Sequence, residues 1–107
     1  MGMTYEEQLQ TLTEPMYYIL LALTEECCGV DIMDRVKKLS GGRVSVGPGT
    51  LYAMLAKFEE KDIIRLTASE GRRKSYVITD TGKDELKKEY ERLKRMVMDG
   101  GFYFAAT

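Results

Sequence analysis

The sequence predicts a mainly α-helical fold with one small β-hairpin. Apolar residues recur at helical spacing over 51–58 and again over 86–97, whereas they alternate at strand spacing over 64–69. The order along the chain is helix, helix, short strand, helix, hairpin and long helix. A chain of 107 residues has room for one modest core. We therefore expect a single compact unit.

The first part of the chain predicts a short amphipathic segment over 3–9 and then a strongly apolar helix. Thr13 is suited to cap this helix, with Pro15 in its first turn, and we expect the helix to continue to about Glu26. Its residues 16–23 are apolar nearly all round. A helix without a polar face must be covered on most sides, which implies a partner chain or a ligand.

Two more helices precede the hairpin. After a break at Gly29, a second helix is predicted from Val30 or Asp31 to Leu39, ending before Gly41-Gly42. A very short strand over 44–46 and a third helix beginning at Gly47-Pro48-Gly49 follow. The residues predicted to face the core are Ile32, Val36 and Leu39 in the second helix, and Leu51, Met54, Leu55 and Phe58 in the third.

The hairpin and a long helix complete the chain. A strand over 63–69, a turn over 70–73 and a return strand over 74–78 are predicted, with Ile64, Leu66 and Ala68 facing inward. Thr79 or Thr81 caps a helix that ends near Asp99, before Gly100-Gly101 and an aromatic tail over 102–104. Three helices and a hairpin form a winged helix-turn-helix over 1–80, and residues 81–107 add a C-terminal dimerisation helix and tail.

Charge is unevenly distributed along this sequence. The formal net charge is −1, but residues 43–76 carry seven basic and four acidic side chains. Arg72, Arg73 and Lys74 are consecutive at the hairpin. A nucleic-acid backbone would offset the repulsion between these cations and release counterions on binding. The basic region therefore predicts an interaction with DNA.

The outward face of the third helix is suited to the major groove. With the apolar residues of 51–58 turned inward, small side chains point directly away and polar side chains flank them. A threonine can contact a base or a phosphate, and a lysine can reach a phosphate. The residues predicted to contact DNA are Gly49, Thr50, Tyr52 and Lys57 on this helix and Arg72, Arg73 and Lys74 on the hairpin.

The last helix carries an apolar stripe at heptad-like spacing. Leu86, Tyr90, Leu93 and Val97 follow one another at intervals of four, three and four residues. A helix that follows the hairpin has little of its own domain left to contact. We therefore expect this stripe to form the interface of a homodimer.

Four segments make the chain resemble the PadR family of transcriptional regulators over nearly its whole length. They are LTEPMYYILLAL (12–23), GGRVSVGPGTLYAML (41–55), FEEKDII (58–64) and GRRKSYVITDTG (71–82). The short C-terminus is similar to that of the small subgroup with a single dimerising helix. One departure is Cys28-Gly29-Val30, where the family commonly has His-Gly-Tyr.

The resemblance implies a dimer that binds an inverted-repeat operator in double-stranded DNA and represses nearby genes. It places Ser45 just before the recognition helix, beside the DNA-contacting residues named above. In some relatives a small aromatic or cationic effector binds between the subunits and releases the DNA. Carried over to this chain, that implies an effector site near Tyr17, Tyr18 and Met96. The drug-clamping tryptophans of some relatives have no counterpart, because the chain has no tryptophan.

Other classes of protein fit the sequence less well. No histidine is present and the two cysteines are adjacent, so we expect no metal, no cofactor and no enzyme activity. No apolar run is long enough to cross a membrane and no export signal is recognisable, which predicts a cytoplasmic protein. The alternative function is a dimeric winged-helix module that binds another protein instead of DNA. The acidic net charge favours that alternative, and the basic hairpin speaks against it.

Overall fold

The computed structural model describes residues 11–105, so the predicted amphipathic segment over 3–9 lies outside the described residues. The described residues form four helices and a three-stranded sheet, which confirms the predicted fold class. The elements are α1 (Glu14–Ala22), β1 (Cys27–Cys28), α2 (Gly29–Leu39), α3 (Pro48–Glu60), β2 (Ile64–Glu70), β3 (Arg73–Ile78) and α4 (Asp80–Phe104).

Helix α1 begins as predicted but ends earlier. The side chain of Thr13 accepts a hydrogen bond from the backbone N–H of Met16, as an N-cap residue does. The helix stops at Ala22, short of Glu26, and the Leu23 carbonyl accepts from the backbone N–H of Ile78 at 2.8 Å. This cross-connection fixes the end of α1 to the sheet. The apolar side chains of α1 are then covered mainly by their own domain.

A two-residue strand that the sequence did not predict precedes α2. Strand β1 pairs antiparallel with β3, so the sheet has the order β1-β3-β2 and is more than a hairpin. Gly29 is the first residue of α2 and does not separate the helices. Within α2 the prediction for Leu39 is wrong, since it is 53% exposed. The chain reverses direction at Gly41 and Gly42, both of which have positive φ. The backbone N–H of Val44 then donates to the Ser40 hydroxyl, which joins the returning segment to the end of α2.

The segment over 44–46 is not a strand. Val44 and Val46 are buried and Ser45 is exposed, so the predicted alternation of burial is present without a hydrogen-bonded partner strand. Helix α3 then follows with Gly47 as its N-cap residue. Its predicted core residues Leu51, Leu55 and Phe58 are buried and Met54 is half-buried, in agreement with the prediction.

The hairpin contains an irregularity that overturns part of the predicted alternation. Leu66 pairs with Tyr76 and Ala68 with Ser75, so Thr67 is an additional residue in β2. Such a bulge reorients the side chains that follow it. Ala68, which follows the bulge, is exposed and not inward-facing as predicted. Before the bulge, Ile64 is buried as predicted, whereas Leu66, two residues further along the same strand face, is 40% exposed. The hairpin beyond this point projects from the core.

Helix α4 is longer than predicted. Thr79 is its cap, and the helix continues through Gly100-Gly101 to Phe104, which makes the aromatic tail helical. Glycine within a helix costs only about 1 kcal/mol and does not by itself end it. Leu86 is 9% exposed and belongs to the core cluster with α1, which corrects its assignment to a free apolar stripe. Further along that stripe, Val97 is 74% exposed.

Candidate nucleic-acid interface

Helix α3 presents the face predicted to meet DNA. Ser45, Gly49 and Thr50 are exposed, Tyr52 is 48% exposed and Lys57 is half-buried. A side chain added at Gly49 would meet no atom within 4 Å. The start of α3 has no side-chain cap and residues 47–50 are exposed, so the positive end of the helix dipole is open to solvent. This end of the helix is suited to approach an anionic surface closely.

Tyr52 also joins α3 to the start of α2. A Cβ atom on Gly29 would lie 2.5 Å from the hydroxyl oxygen of Tyr52 and 3.1 Å from its ring. The tyrosine therefore lies directly on the glycine backbone, and no larger residue fits at position 29 without displacing it. This contact sets the position of one candidate DNA-binding side chain.

The three consecutive cations lie on the hairpin, as predicted. Arg72 is in the two-residue turn after Gly71, whose φ of 61° suits glycine, while Arg73 and Lys74 begin β3. All three side chains are exposed. We call residues 68–74, which form the projecting part of the hairpin, the wing.

A groove of about 380 Å³ separates the wing from the start of α2 and from α3. It brings Tyr52 together with all three basic residues of the wing, whereas Ser45, Gly49, Thr50 and Lys57 lie outside it. Its lining residues are Cys28, Gly29, Val30, Tyr52, Arg72, Arg73 and Lys74. The cationic hairpin and one side chain of α3, Tyr52, therefore border the same groove.

Arg73 differs from its two neighbours because it has a bonding partner in the body of the domain. Its guanidinium donates to the Sγ of Cys28 at 3.6 Å, and the Cys28 thiol donates to Asp31 at 3.2 Å. The hydrogen bond that Arg73 donates to Cys28 raises the pKa of Arg73, with a smaller contribution from the charge of Asp31. Sequence reasoning missed Cys28 and Asp31. The departure from His-Gly-Tyr at 28–30 was the available signal, because it marks an altered turn.

A second groove, of about 330 Å³, lies between α1 and α4. The Tyr17 and Tyr18 rings meet edge to face at 5.9 Å, and Arg43 donates to the Tyr18 hydroxyl at 3.0 Å. Met96 does not line the groove, although its sulfur accepts from Arg92 at 3.2 Å. The lining residues are Leu12, Thr13, Glu14, Tyr17, Tyr18, Arg43, Arg92 and Leu93.

A buried carboxylate connects the two sides of this second groove. Glu89 is 4% exposed, and it accepts from the backbone N–H of Leu12 and from the Nε of Arg92. Burial is the main cause that raises the pKa of nearby Tyr17, followed by the charges of Tyr90 and other neighbours. The chain entering α1 is thus attached to α4 through one side chain.

Within residues 11–105, no group of three or more His, Cys, Asp or Glu residues could hold a metal ion. None of the helices described there is both long enough and apolar enough to cross a membrane.

Comparison with known proteins identifies the family. Residues 19–88 match the family described as transcriptional regulator PadR-like. A PadR-like transcription factor from Bacteroides fragilis has a similar structure, with a TM-score of 0.69 at 24% identity over 92% of this chain and 96% of that one.

Two further relatives are more similar in sequence over shorter ranges. Bacillus subtilis PadR, solved in complex with operator DNA, is 31% identical with a TM-score of 0.59 over 68% of this chain and 44% of that one. An uncharacterised 37.1 kDa transposon protein of Streptomyces fradiae is 32% identical over 68 residues, 64% of this chain. The chain spans about a fifth of the length of that curated relative, 19%. Because the family match over residues 19–88 covers most of its length, the chain belongs to the PadR-like family of transcriptional regulators.

Proposed function

We propose that this chain is a dimeric, sequence-specific DNA-binding repressor that a small-molecule effector releases from its operator. The observation that carries the DNA-binding part is the groove shared by Tyr52 and the basic wing, next to the open start of α3. The complex of Bacillus subtilis PadR with operator DNA supports it, because that relative is 31% identical to this chain.

The exposed residues of α3 and the wing divide into two kinds of contact. Gly49, Thr50 and Tyr52 lie on the first turns of α3, where side chains of a recognition helix reach base edges. Ser45 precedes the helix, and Lys57 lies two turns later on the flank of the helix, so both suit phosphates. Among residues 11–105, the side chains of Arg72 and Lys74 have no hydrogen-bond or ion-pair partner. We assign them to phosphate binding as well.

The proposed dimer is supported by the part of α4 that extends beyond the core. The Cα radius of gyration is 15.5 Å, against about 13 Å for a compact domain of this size. Several large apolar side chains on this helix are exposed: Tyr90, Met96, Val97, Met98, Phe102 and Tyr103. Because a second copy would cover them through a two-fold axis, the DNA site is an inverted repeat. Leu86 is buried in the core and is therefore not part of the proposed interface.

The groove between α1 and α4 is the proposed effector site. Its volume of about 330 Å³ falls in the range of small-molecule pockets. Tyr17 and Tyr18 offer aromatic faces and edges, which favours a small aromatic compound, or a cationic one stacked on a ring. An occupant would press on both α1 and Arg92 of α4. That displacement would change the spacing of the two recognition helices, which explains release from the operator.

A fluorescence anisotropy titration with a mixed-sequence duplex at several salt concentrations tests DNA binding. We expect affinity to fall steeply with salt, and the double variant Arg72→Ala, Lys74→Ala to flatten the slope by about 0.9 per lost phosphate contact. Lys88→Ala is the matched control, because that exposed cation lies on α4 beside Glu85. Absence of binding at low salt by a folded dimer would refute the proposal and favour the protein-binding alternative.

Sedimentation equilibrium tests the dimer separately. Val97→Glu places a charge on the exposed apolar side of α4 without touching the core, since Val97 is 74% exposed. We expect a monomer at concentrations where the unmodified chain is dimeric. Asp99→Lys, which changes a charge on an exposed residue of the same turn, is the control. A monomeric unmodified chain would remove both the inverted repeat and the proposed mechanism of release.

A further inference from the structure

We infer that Cys28 and Asp31 are positioning residues: Cys28 holds the wing against the start of α2 by accepting a hydrogen bond from Arg73, and Asp31 accepts one from the Cys28 thiol. In this arrangement Arg73 anchors the wing, and Arg72 and Lys74 are left to face the DNA. The inference rests on the proposed DNA-binding function, but its structural half is testable without DNA.

The wing has little other support. Residues 68–74 are all exposed, and the bulge at Thr67 separates them from the regular part of the hairpin. Strand β1 pairs with β3 only at Cys27 with Tyr76 and Cys28 with Ser75. The pairing of β1 with β3 therefore ends before the wing begins, and within the wing only β2 and β3 pair with each other. Such a two-stranded ribbon projecting into solvent is marginally stable by itself. A contact back to the helical body is needed to fix its angle.

The pairing of β1 with β3 brings Cys28 close to Arg73. Cys28 lies directly opposite Ser75, so their side chains share one face of the sheet. Residues two apart in a strand share a face, so Arg73 is on that face too. Its guanidinium donates to the Cys28 sulfur at 3.6 Å. Because a thiol can both donate and accept, the same sulfur donates to the Asp31 carboxylate at 3.2 Å.

This chain of three groups connects the two DNA-facing elements. Gly29, next to Cys28, lies under the Tyr52 hydroxyl, which fixes α3 to the start of α2. Arg73 fixes the wing to the same turn. The distance between recognition helix and wing is thus set by one short segment, 28–31. Holding both elements in place before binding reduces the ordering cost of the complex.

The competing assignment makes Arg73 a third phosphate ligand, as the sequence predicts. The two assignments predict a different salt dependence of DNA binding. A phosphate ligand adds about 0.9 to the slope of log affinity against log salt, whereas an anchor changes affinity without changing that slope.

Limited trypsin digestion tests the anchor without DNA, with cleavage in the wing mapped by mass spectrometry. We expect Cys28→Ala and Asp31→Asn each to accelerate cleavage after Arg72 and Lys74 about threefold, because local opening becomes easier. Cys28→Ser, which keeps a donor and an acceptor, should cleave at nearly the unmodified rate. Asp34→Asn is the control for the lost charge, since Asp34 is exposed on the same helix. Equal wing cleavage in all variants would overturn the anchor.

Titration of a mixed-sequence duplex completes the test. Arg73→Ala and Cys28→Ala should each weaken binding about threefold with an unchanged salt slope, whereas Arg72→Ala lowers the slope. The double variant should be no weaker than Arg73→Ala, because both changes break the same contact. A lowered slope for Arg73→Ala with no effect of Cys28→Ala would overturn the inference. If the unmodified chain bound no duplex, the proposed function would be refuted. The trypsin digestion would still test whether Cys28 and Asp31 hold the wing.

Discussion

Among the glycines of residues 11–105, Gly82 leaves the least room for a side chain. It lies in the first turn of α4 and donates its backbone N–H to the Thr79 side chain at 3.0 Å. A Cβ atom at this position would overlap the carbonyl oxygen of Ile63 and lie 2.7 Å from the Cγ1 of Ile78. A backbone carbonyl cannot rotate away as a flexible side chain would. Gly82→Ala must therefore push α4 away from the sheet.

The expected cost exceeds the gain in helix propensity. In an open helix, Gly→Ala stabilises by about 1 kcal/mol. Here the overlap costs about 1–3 kcal/mol, as overpacking does. Moving α4 also loosens the bonds from the Thr79 backbone N–H to the Ile63 carbonyl at 2.9 Å and from the Thr79 hydroxyl to the same carbonyl. At about 1 kcal/mol each, these losses bring the net destabilisation to about 3 kcal/mol.

Urea unfolding followed by circular dichroism at one fixed protein concentration measures this difference. Gly100→Ala in the same helix is the matched control, because a Cβ atom there meets nothing within 4 Å. The control should be more stable than the unmodified chain by up to about 1 kcal/mol. If Gly82→Ala matched or exceeded the stability of the unmodified chain, the close approach of α4 to Ile63 would be refuted.

Three further predictions follow from buried polar groups. Glu89→Ala should lower the free energy of unfolding by about 2 kcal/mol in the same urea assay, because the Leu12 N–H loses its acceptor. The control is Glu91→Ala at an exposed position, which should change that free energy by less than about 0.5 kcal/mol. Burial raises the pKa of Tyr17 above its ordinary 10.0, so the stability this group contributes is complete below pH 10.0 and lost as pH rises through the raised pKa. Urea unfolding from about pH 9 to about pH 11 should show a decline that Tyr17→Phe reduces, and an unchanged decline contradicts the assignment. Burial likewise raises the pKa of the Cys27 thiol, so iodoacetamide should label Cys27 at least about tenfold more slowly than free cysteine, as followed by mass spectrometry.

Local signals were sufficient for the core face of α3 and for the start of two helices. Leu51, Leu55 and Phe58 are buried as their spacing indicates, and Thr13 and Thr79 cap the helices that they precede. These signals are local, because a helix closes its hydrogen bonds within one turn and its buried face repeats every three to four residues. The helix boundaries were less predictable, since Gly100 and Gly101 can remain helical when nothing forces a positive φ.

In the candidate interface, too, local features were predictable from the sequence and long-range contacts were not. Its cations at 72–74 and the outward face of α3 were predictable, because charge and helical direction are properties of short segments. The partner of Arg73 was not, since Cys28 is 45 residues away and meets it only through the pairing of β1 with β3. Ala68 was wrongly assigned to the inward face because a bulge at Thr67 changes the register without a clear mark in the sequence.

The sequence by itself determined the order of the four helices and the hairpin, the face of α3 that packs in the core and the basic character of the wing. The tertiary structure decided that Cys27-Cys28 is a strand, that Leu86 belongs to the core and that Tyr52 lies on Gly29. The physical reason is the range of the interactions. Helix periodicity and charge act between near neighbours in the chain, whereas strand pairing, close backbone approach and grooves depend on residues that only folding brings together.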